Sequence, residues 1–315
     1  MQTIKAKKSL GQNFLIDQEA LTDIAGSIEL SGRHIIEVGP GYGALTEHIV
    51  AANPKSLDLV ELDTDMVEIL DSRFKIQNRG QKEQNGGSGV ETVGAKEEGI
   101  KITLHHQDVL TFTPIYDEYS VIANIPYYIT SPILFHFLYP ETLFVKRDVT
   151  KGQGDFISEN TEQNPLPPSS ASPLQRRFAP PREMTIMMQK EVGEKILEGR
   201  ARKPHHSFLS LAMELACEEI EIVRYVGKES FDPAPKIDSI VLKFSVKQTR
   251  NPETEKQLIN LWKIAFTHPR KTLLSNLKGS HYNIEAIRKT LTELGYDEKV
   301  RAEAVKMEDW GKLLF

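Results

Sequence analysis

Residues 37–47, "EVGPGYGALTE", constrain this chain more than any other stretch. They follow the apolar run "HIIEV" and lead into "ALTEHIVAA", whose apolar residues recur at helical spacing. A strand, a glycine turn and a helix in direct succession make one βα unit. Gly39, Gly41 and Gly43 allow a tight turn and let a ligand approach the backbone where the helix begins. The alternation continues downstream. Strands are expected in "SLDLVELD", "IKITLHHQDVL", "YSVIANIPY", "MTIMMQK" and "IDSIVLKFSV". Helices are expected in "TDMVEILDSRF", with Thr64 as N-cap, in "SPILFHFL" and in "EVGEKILEG". This pattern predicts an α/β domain, a mostly parallel sheet with helices on both faces.

Two stretches interrupt the pattern. Residues 77–99 are rich in Gly, Gln, Asn and Glu, and residues 148–182 contain six prolines. Neither offers enough apolar surface to offset chain ordering, so both are expected to be disordered insertions. Each falls between a helix and the next strand, which puts it at the sheet edge opposite the ligand edge. The strand pattern stops near residue 248. Residues 252–315 read as short helices, which divides the chain into a domain at 1–248 and a small α-helical domain at 249–315.

Composition narrows the class. The one cysteine, Cys217, lies in the apolar run "FLSLAMELAC" and reads as core; a chain with one thiol forms no internal disulfide and suits a reducing compartment. No apolar run approaches the roughly 18 residues of a membrane span, and "MQTIKAKKSLGQNFL" carries no signal core. A cytoplasmic, monomeric protein without membrane contact is expected. The histidine pairs at 105–106 and 205–206 lack clustered ligands at metal spacing, so no metal site is expected. The net charge is −5, yet cations cluster: Lys5, Lys7 and Lys8 near the start, and six Lys/Arg against one acid between Trp262 and Lys289. A solvated face is one reading of each cluster and an RNA contact is the other. Lys7, Lys8, Arg270, Lys271 and Lys278 are the RNA-binding candidates.

The chemistry sits at strand ends. Glu61 in "LVELD" stands 20 residues beyond Gly41, where a carboxylate can accept both hydroxyls of a ribose. Asp108 in "HHQDVL" ends the next strand and can accept from an adenine amine. Leu62 and Val109, beside these two acids, are counted with the cofactor contacts. Such motifs suit an adenosine-containing cofactor and leave NAD and S-adenosylmethionine both open. The fourth strand decides between them. It ends in "NIPYYITSPIL", and Asn-x-Pro-Tyr at this place marks methyltransferases that act on planar exocyclic amines. The lone pair of such an amine is delocalised into its ring. The side-chain oxygen of Asn124 and the carbonyl of Ile125 can accept both amine hydrogens and align the nitrogen with a sulfonium methyl. Pro126 restricts Ile125 to an extended conformation, and Tyr127 offers a face for the base. Positioning then supplies most of the acceleration.

With these motifs in order, the chain resembles the KsgA/RsmA family of ribosomal RNA adenine dimethyltransferases. The resemblance also rests on "KKSLGQNFLID", "MMQKEVGEKI", "FDPAPKIDSIVLKF" and "FTHPRKTLLSNL", and covers nearly everything outside the two insertions. It implies a Rossmann-like class I methyltransferase domain with a small C-terminal α-helical domain, and S-adenosylmethionine as cofactor. It makes Asn13, Leu15, Gly39, Glu61, Asp108 and Asn124 cofactor contacts, with Gly41 counted beside them, and Phe231 the second wall of the base pocket, opposite Tyr127. It implies four methyl transfers to two neighbouring adenines near the 3′ end of small-subunit (16S) ribosomal RNA in an assembling 30S-type particle. A ribosome-assembly or transcription factor that has lost catalysis is the competing class. Intact Glu61, Asp108, Asn124 and Tyr127 favour the enzyme. A nicotinamide dehydrogenase is disfavoured by "NIPY".

Overall fold

The computed structural model describes residues 7, 11–74, 76, 92–97, 99–140, 178–200 and 205–314. These fall into two compact units. One takes the described residues up to Pro140 with Phe178–Gly193 and Cys217–Gln248; the other takes Glu194–Ala216 and the stretch from Thr249.

The first unit is built on an eight-stranded sheet. In chain order its strands are β2 (His34–Val38), β3 (Ser56–Glu61), β4 (Thr92–Glu97), β5 (Ile100–His106), β6 (Ser120–Asn124), β7 (Glu183–Gln189), β8 (Cys217–Val226) and β10 (Ser239–Val246), arranged as β4-β5-β3-β2-β6-β7-β10-β8. The five from β5 to β7 are parallel, and β4, β10 and β8 are antiparallel additions. A further two-residue strand, β1 (Phe14–Leu15), pairs with β9 (Phe231–Asp232) outside the main sheet. Every residue of β3 is buried, as a strand covered on both faces requires. Helices α1 (Gln18–Gly26), α2 (Ala44–Ala51), α3 (Thr64–Arg73) and α4 (Thr130–Leu138) bury their apolar positions. From β2 the chain builds outward to β3 and β5, then returns to β6 on the other side. The crevice between the C-terminal ends of β2 and β6 is therefore the switch point where α/β sheets bind ligands.

Some expectations need correcting. Residues 92–97, assigned to a disordered insertion, form β4 and pair antiparallel with β5 in continuous register from Thr92–His105 to Glu97–Ile100. The end of the second insertion is also built in. The Tyr119 hydroxyl donates to the Ala179 carbonyl at 2.8 Å, and the Arg182 amide donates to the Tyr119 carbonyl at 2.8 Å, so the β6–β7 ladder starts from residue 182. Residues 77–91, 98 and 148–177 lie outside the described residues. Helix α3 is capped by Asp63, whose carboxylate accepts from the Asp65 amide, while Thr64 is its first residue. Strand β8 was not expected; its exposed Glu218, Glu219 and Glu221 charge the sheet edge, which discourages pairing with another chain. Cys217 is buried, as its apolar context predicts.

Helix α5 (Lys190–Glu198) begins in the first unit and ends in the second. The second unit holds α6 (Phe208–Ala216), α7 (Pro252–Ala265), α8 (Leu273–Leu277), α9 (Ile284–Glu293) and α10 (Met307–Trp310). Asn251, Thr272 and Asn283 each cap a helix by accepting from a first-turn amide. Trp262 and Trp310, both fully buried, meet edge to face with centroids 6.1 Å apart. No helix among the described residues is long and apolar enough to cross a membrane.

Candidate active site

The sequence-predicted cofactor and base-binding residues line one pocket at the C-terminal edge of the parallel strands. Glycine turns, carboxylates and the Asn124 loop meet there because β2, β3, β5 and β6 are parallel and in register. Val38 lies opposite both Val60 and Ala123, and Glu61 opposite His106.

Gly41 has φ +57°, and its amide donates to Glu61 Oε2 at 3.2 Å. A Cβ at Gly41 would stand 3.2 Å from the Phe14 ring. One at Gly43, where φ is +90°, would stand 2.6 Å from Phe74. The turn is thus closed to other residues by both conformation and space. Glu61 is buried. Its Oε1 accepts from the Leu62 and Asp63 amides, each at 2.8 Å. Two donors fill Oε1, so a ribose would meet Oε2, which has one acceptor position left. The expectation that this carboxylate is open to both hydroxyls is narrowed accordingly. Burial pushes the Glu61 carboxyl above its ordinary value, against the pull of the three amide donors.

Asp108 uses Oδ1 to cap the short turn Val109–Thr111, accepting from the Leu110 amide at 2.9 Å. Its Oδ2 has no hydrogen-bond partner among the described residues. Leu62 is half exposed and Val109 buried, and both face the pocket. A carboxylate with one free position, a second free carboxylate oxygen and apolar neighbours fit the ribose and adenine of an adenosine cofactor.

Asn124 ends β6, and its side chain has no hydrogen-bond partner among the described residues. Ile125 is buried; Pro126 accepts from the Ile129 amide, opening the turn Tyr127–Ile129 that runs into α4. The Tyr127 hydroxyl lies 2.7 Å from Ser239 Oγ. Burial raises the Tyr127 hydroxyl above its ordinary value, so it stays protonated near neutrality. Phe231, buried on β9, is fixed by its pairing with Leu15, and both line the pocket.

An N-terminal strap crosses this edge, and several of its contacts escape a sequence reading. Gln12 Nε2 donates to Asp63 Oδ2 at 2.7 Å, two residues from Glu61. Phe14 meets Tyr42 edge to face at 5.1 Å, and the Asn13 side chain donates to the Gly11 carbonyl at 3.2 Å. Lys7, an RNA-binding candidate, pairs with Asp63 and, at 2.8 Å, with Asp65. Burial pushes Asp63 up, but the bonds from Lys7, Gln12 and the Asp65 amide outweigh it and hold its carboxyl below the ordinary value. Lys8 lies outside the described residues. The motif "KKSLGQNFL" does not reveal these partners: Asp63 lies 56 positions from Lys7 and 51 from Gln12.

Glu37 lies at the floor of the pocket, buried, accepting from Thr46 Oγ1 at 2.7 Å. Burial raises its carboxyl to about 8, with the Thr46 bond opposing and the nearby Glu61 adding. Folded chains keep this proton where unfolded chains lose it. The folded state therefore binds more protons between the ordinary carboxyl value and about 8, and stability falls as pH rises through that window. Glu37→Gln removes this dependence. In the cofactor-free protein the variant should gain on the wild type by roughly 1.4 kcal/mol per pH unit across the window. Urea unfolding at pH 5 and pH 8 checks this; parallel pH dependence in both proteins would contradict it.

A family model described as ribosomal RNA adenine dimethylase matches residues 3–87 and 90–314. The chain belongs to this family. A relative named ribosomal RNA small subunit methyltransferase A, from Mycoplasmopsis pulmonis, is 33% identical over 310 residues, covering 98% of this chain and 97% of that one. Its namesake from Clostridium botulinum (strain Loch Maree / Type A3) is 30% identical over 317 residues, covering 98% and 93%. Among solved structures, a dimethyladenosine transferase from Plasmodium falciparum shares the fold with a TM-score of 0.62 at 21% identity, covering 95% of both chains. The 23S rRNA methyltransferase ErmE does so with a TM-score of 0.59 at 20% identity, covering 96% of this chain and 98% of that one. This rRNA adenine dimethyltransferase has the expected Rossmann-like fold and acts with S-adenosylmethionine on adenine N6 of ribosomal RNA.

Proposed function

We propose that the enzyme converts two adjacent adenines near the 3′ end of small-subunit ribosomal RNA to N6,N6-dimethyladenine, working as a cytoplasmic monomer on an assembling 30S-type particle. The observation that carries this reading is Asn124: a pocket-lining amide without a hydrogen-bond partner among the described residues, on the edge that also presents Glu61 and Asp108. Bound S-adenosylmethionine supplies an electrophilic methyl on a positively charged sulfur. Glu61 and Asp108 hold the ribose and adenine of that cofactor, with Leu62 and Val109 against the adenine faces and Asn13, Leu15, Gly39 and Gly41 shaping the rest of its site. The Asn124 oxygen and the Ile125 carbonyl accept the N6 hydrogens of the target base, while Tyr127 and Phe231 stack on it. The N6–methyl bond would form as the sulfur–methyl bond breaks, leaving a neutral thioether, and the nitrogen would shed its proton to water. The base must leave its stack to arrive here, at a cost of a few kcal/mol that about 1–3 kcal/mol per stacked aromatic ring offsets.

Residues 249–315 serve as the RNA- and ribosome-binding domain. Arg288 is engaged by Glu285 and Glu298, and Lys289 by Glu293. Arg270, Lys271 and Lys278 are exposed and have no acidic partner among the described residues. They flank α8, in a turn held by the Asn276 amide bonding the Ala265 carbonyl at 2.7 Å. Neutralising these three cations together should weaken RNA binding and lower the salt slope by about 0.7–0.9 for each phosphate that the variant no longer neutralises. Filter binding across a salt series reads this; an unchanged slope would make the face a solvated surface.

The test of the proposal is transfer of tritiated methyl groups to immature small subunits, naked small-subunit RNA and large subunits. Labelling confined to the immature particle is expected. Labelling of large subunits alone would overturn the substrate assignment.

A further inference from the structure

Tyr127 is anchored from two strands away. It follows β6, whereas Ser239 is the first residue of β10, and β7 runs between those strands. The Tyr127 hydroxyl and Ser239 Oγ are 2.7 Å apart. Ser239 is fully buried, and its backbone is fixed on both sides, opposite Gln189 of β7 and Val226 of β8. The adjacent Tyr128 lines the same pocket but is 53% exposed, and its hydroxyl has no partner among the described residues. Of two consecutive tyrosines, only Tyr127 is tied to the sheet. A tyrosine ring has two torsions, and the ring torsion is broad. The phenol oxygen lies on the axis of the ring torsion, so with Cα held in the Tyr127–Ile129 turn and the hydroxyl held at Ser239 the direction of the ring axis is fixed, and with it the position of the ring.

We propose that Ser239 is a positioning residue for methyl transfer: its hydroxyl fixes the axis of the Tyr127 ring, and through it the place of the stacked adenine whose N6 must meet Asn124. This rests on the role given to Tyr127 above. A small misplacement of reacting atoms is costly in rate, whereas the cofactor's own contacts lie at Glu61 and Asp108 and are untouched. The bond is therefore needed for turnover and not for cofactor binding.

Ser239→Ala and Tyr127→Phe break the bond from opposite ends, and Tyr127→Phe leaves the sheet core intact. Each should lower kcat about tenfold with KM for S-adenosylmethionine unchanged, and the double variant should be no slower than either single one. Wild-type kcat in both single variants, or multiplied losses in the double variant, would overturn the proposal. Tyr127→Ala separates the two levels. If it loses turnover while Ser239→Ala and Tyr127→Phe keep it, only the role of Ser239 fails. If Tyr127→Ala itself turns over normally, the base-stacking assignment fails and the role of Ser239 with it.

Discussion

Asn124→Ala should turn the enzyme into a cofactor-binding protein that transfers methyl groups about 10²–10³-fold more slowly, a loss of about 2.7–4 kcal/mol at the transition state. The magnitude follows from what Asn124 does. An exocyclic amine conjugated with its ring is a weak nucleophile, and it gains electron density on nitrogen only when its hydrogens are held and its geometry shifts towards tetrahedral. Asn124 stands at the end of β6, so its oxygen is delivered by a strand that is buried on both sides rather than by a loose loop. Its side chain has no partner among the described residues to release before it meets a base. Removing it leaves Ile125 as the remaining oriented acceptor. Glu61 and Asp108 stay in place, so calorimetric affinity for S-adenosylmethionine should match the wild type. Wild-type turnover in the variant would remove Asn124 from the role. A large loss of cofactor affinity would move it to the other half of the site.

Glu61→Ala should give the opposite pattern, a loss of cofactor affinity of about 10–100-fold, corresponding to a charge-assisted hydrogen bond of about 1.5–3 kcal/mol. Two effects add. The ribose loses its anionic acceptor, and the amides of Gly41, Leu62 and Asp63 lose the carboxylate that ties the first two strand-end turns together. Glu61→Gln tests the first effect more cleanly. Its carbonyl oxygen can keep the Leu62 and Asp63 amides, while its NH₂ takes the place of the oxygen that faces Gly41 and the ribose. Calorimetry should rank the affinities wild type, then Gln, then Ala. Because burial raises the Glu61 carboxyl, wild-type affinity should fall on acidification before exposed carboxylates titrate. Unchanged affinity in Glu61→Ala would take this residue out of the site.

How legible the site was depended on sequence distance. Gly39, Gly41, Glu61, Asp108 and Asn124 could be read from the sequence because each lies at the end of a strand or just beyond it, and parallel strands bring their ends to one edge. Residues whose roles depend on remote partners could not be read in this way. Lys7 looked like a free cation near the chain start until Asp63 and Asp65 came beside it. Ser239 lies within the expected strand "IDSIVLKFSV", where nothing local marks a role, and its link to Tyr127 spans 112 positions. In the fold, the composition of residues 77–99 concealed β4. The segment Thr92–Glu97 is weakly apolar, and its strand is completed by the β5 ladder rather than by local preference. Strand β8 was hidden differently: its glutamates suit an exposed edge, and they dilute the apolar pattern that identifies a central strand.

Nucleoside mass spectrometry tests the central claim most directly. Small subunits lacking the modification would be incubated with the purified enzyme and S-adenosylmethionine, and their RNA digested and mapped. The account predicts N6,N6-dimethyladenine at two adjacent positions near the 3′ end, formed by the wild type and about 10²–10³-fold more slowly by Asn124→Ala at equal cofactor occupancy. Methyl groups on another base, or dimethyladenine formed equally well by the Asn124 variant, would contradict it.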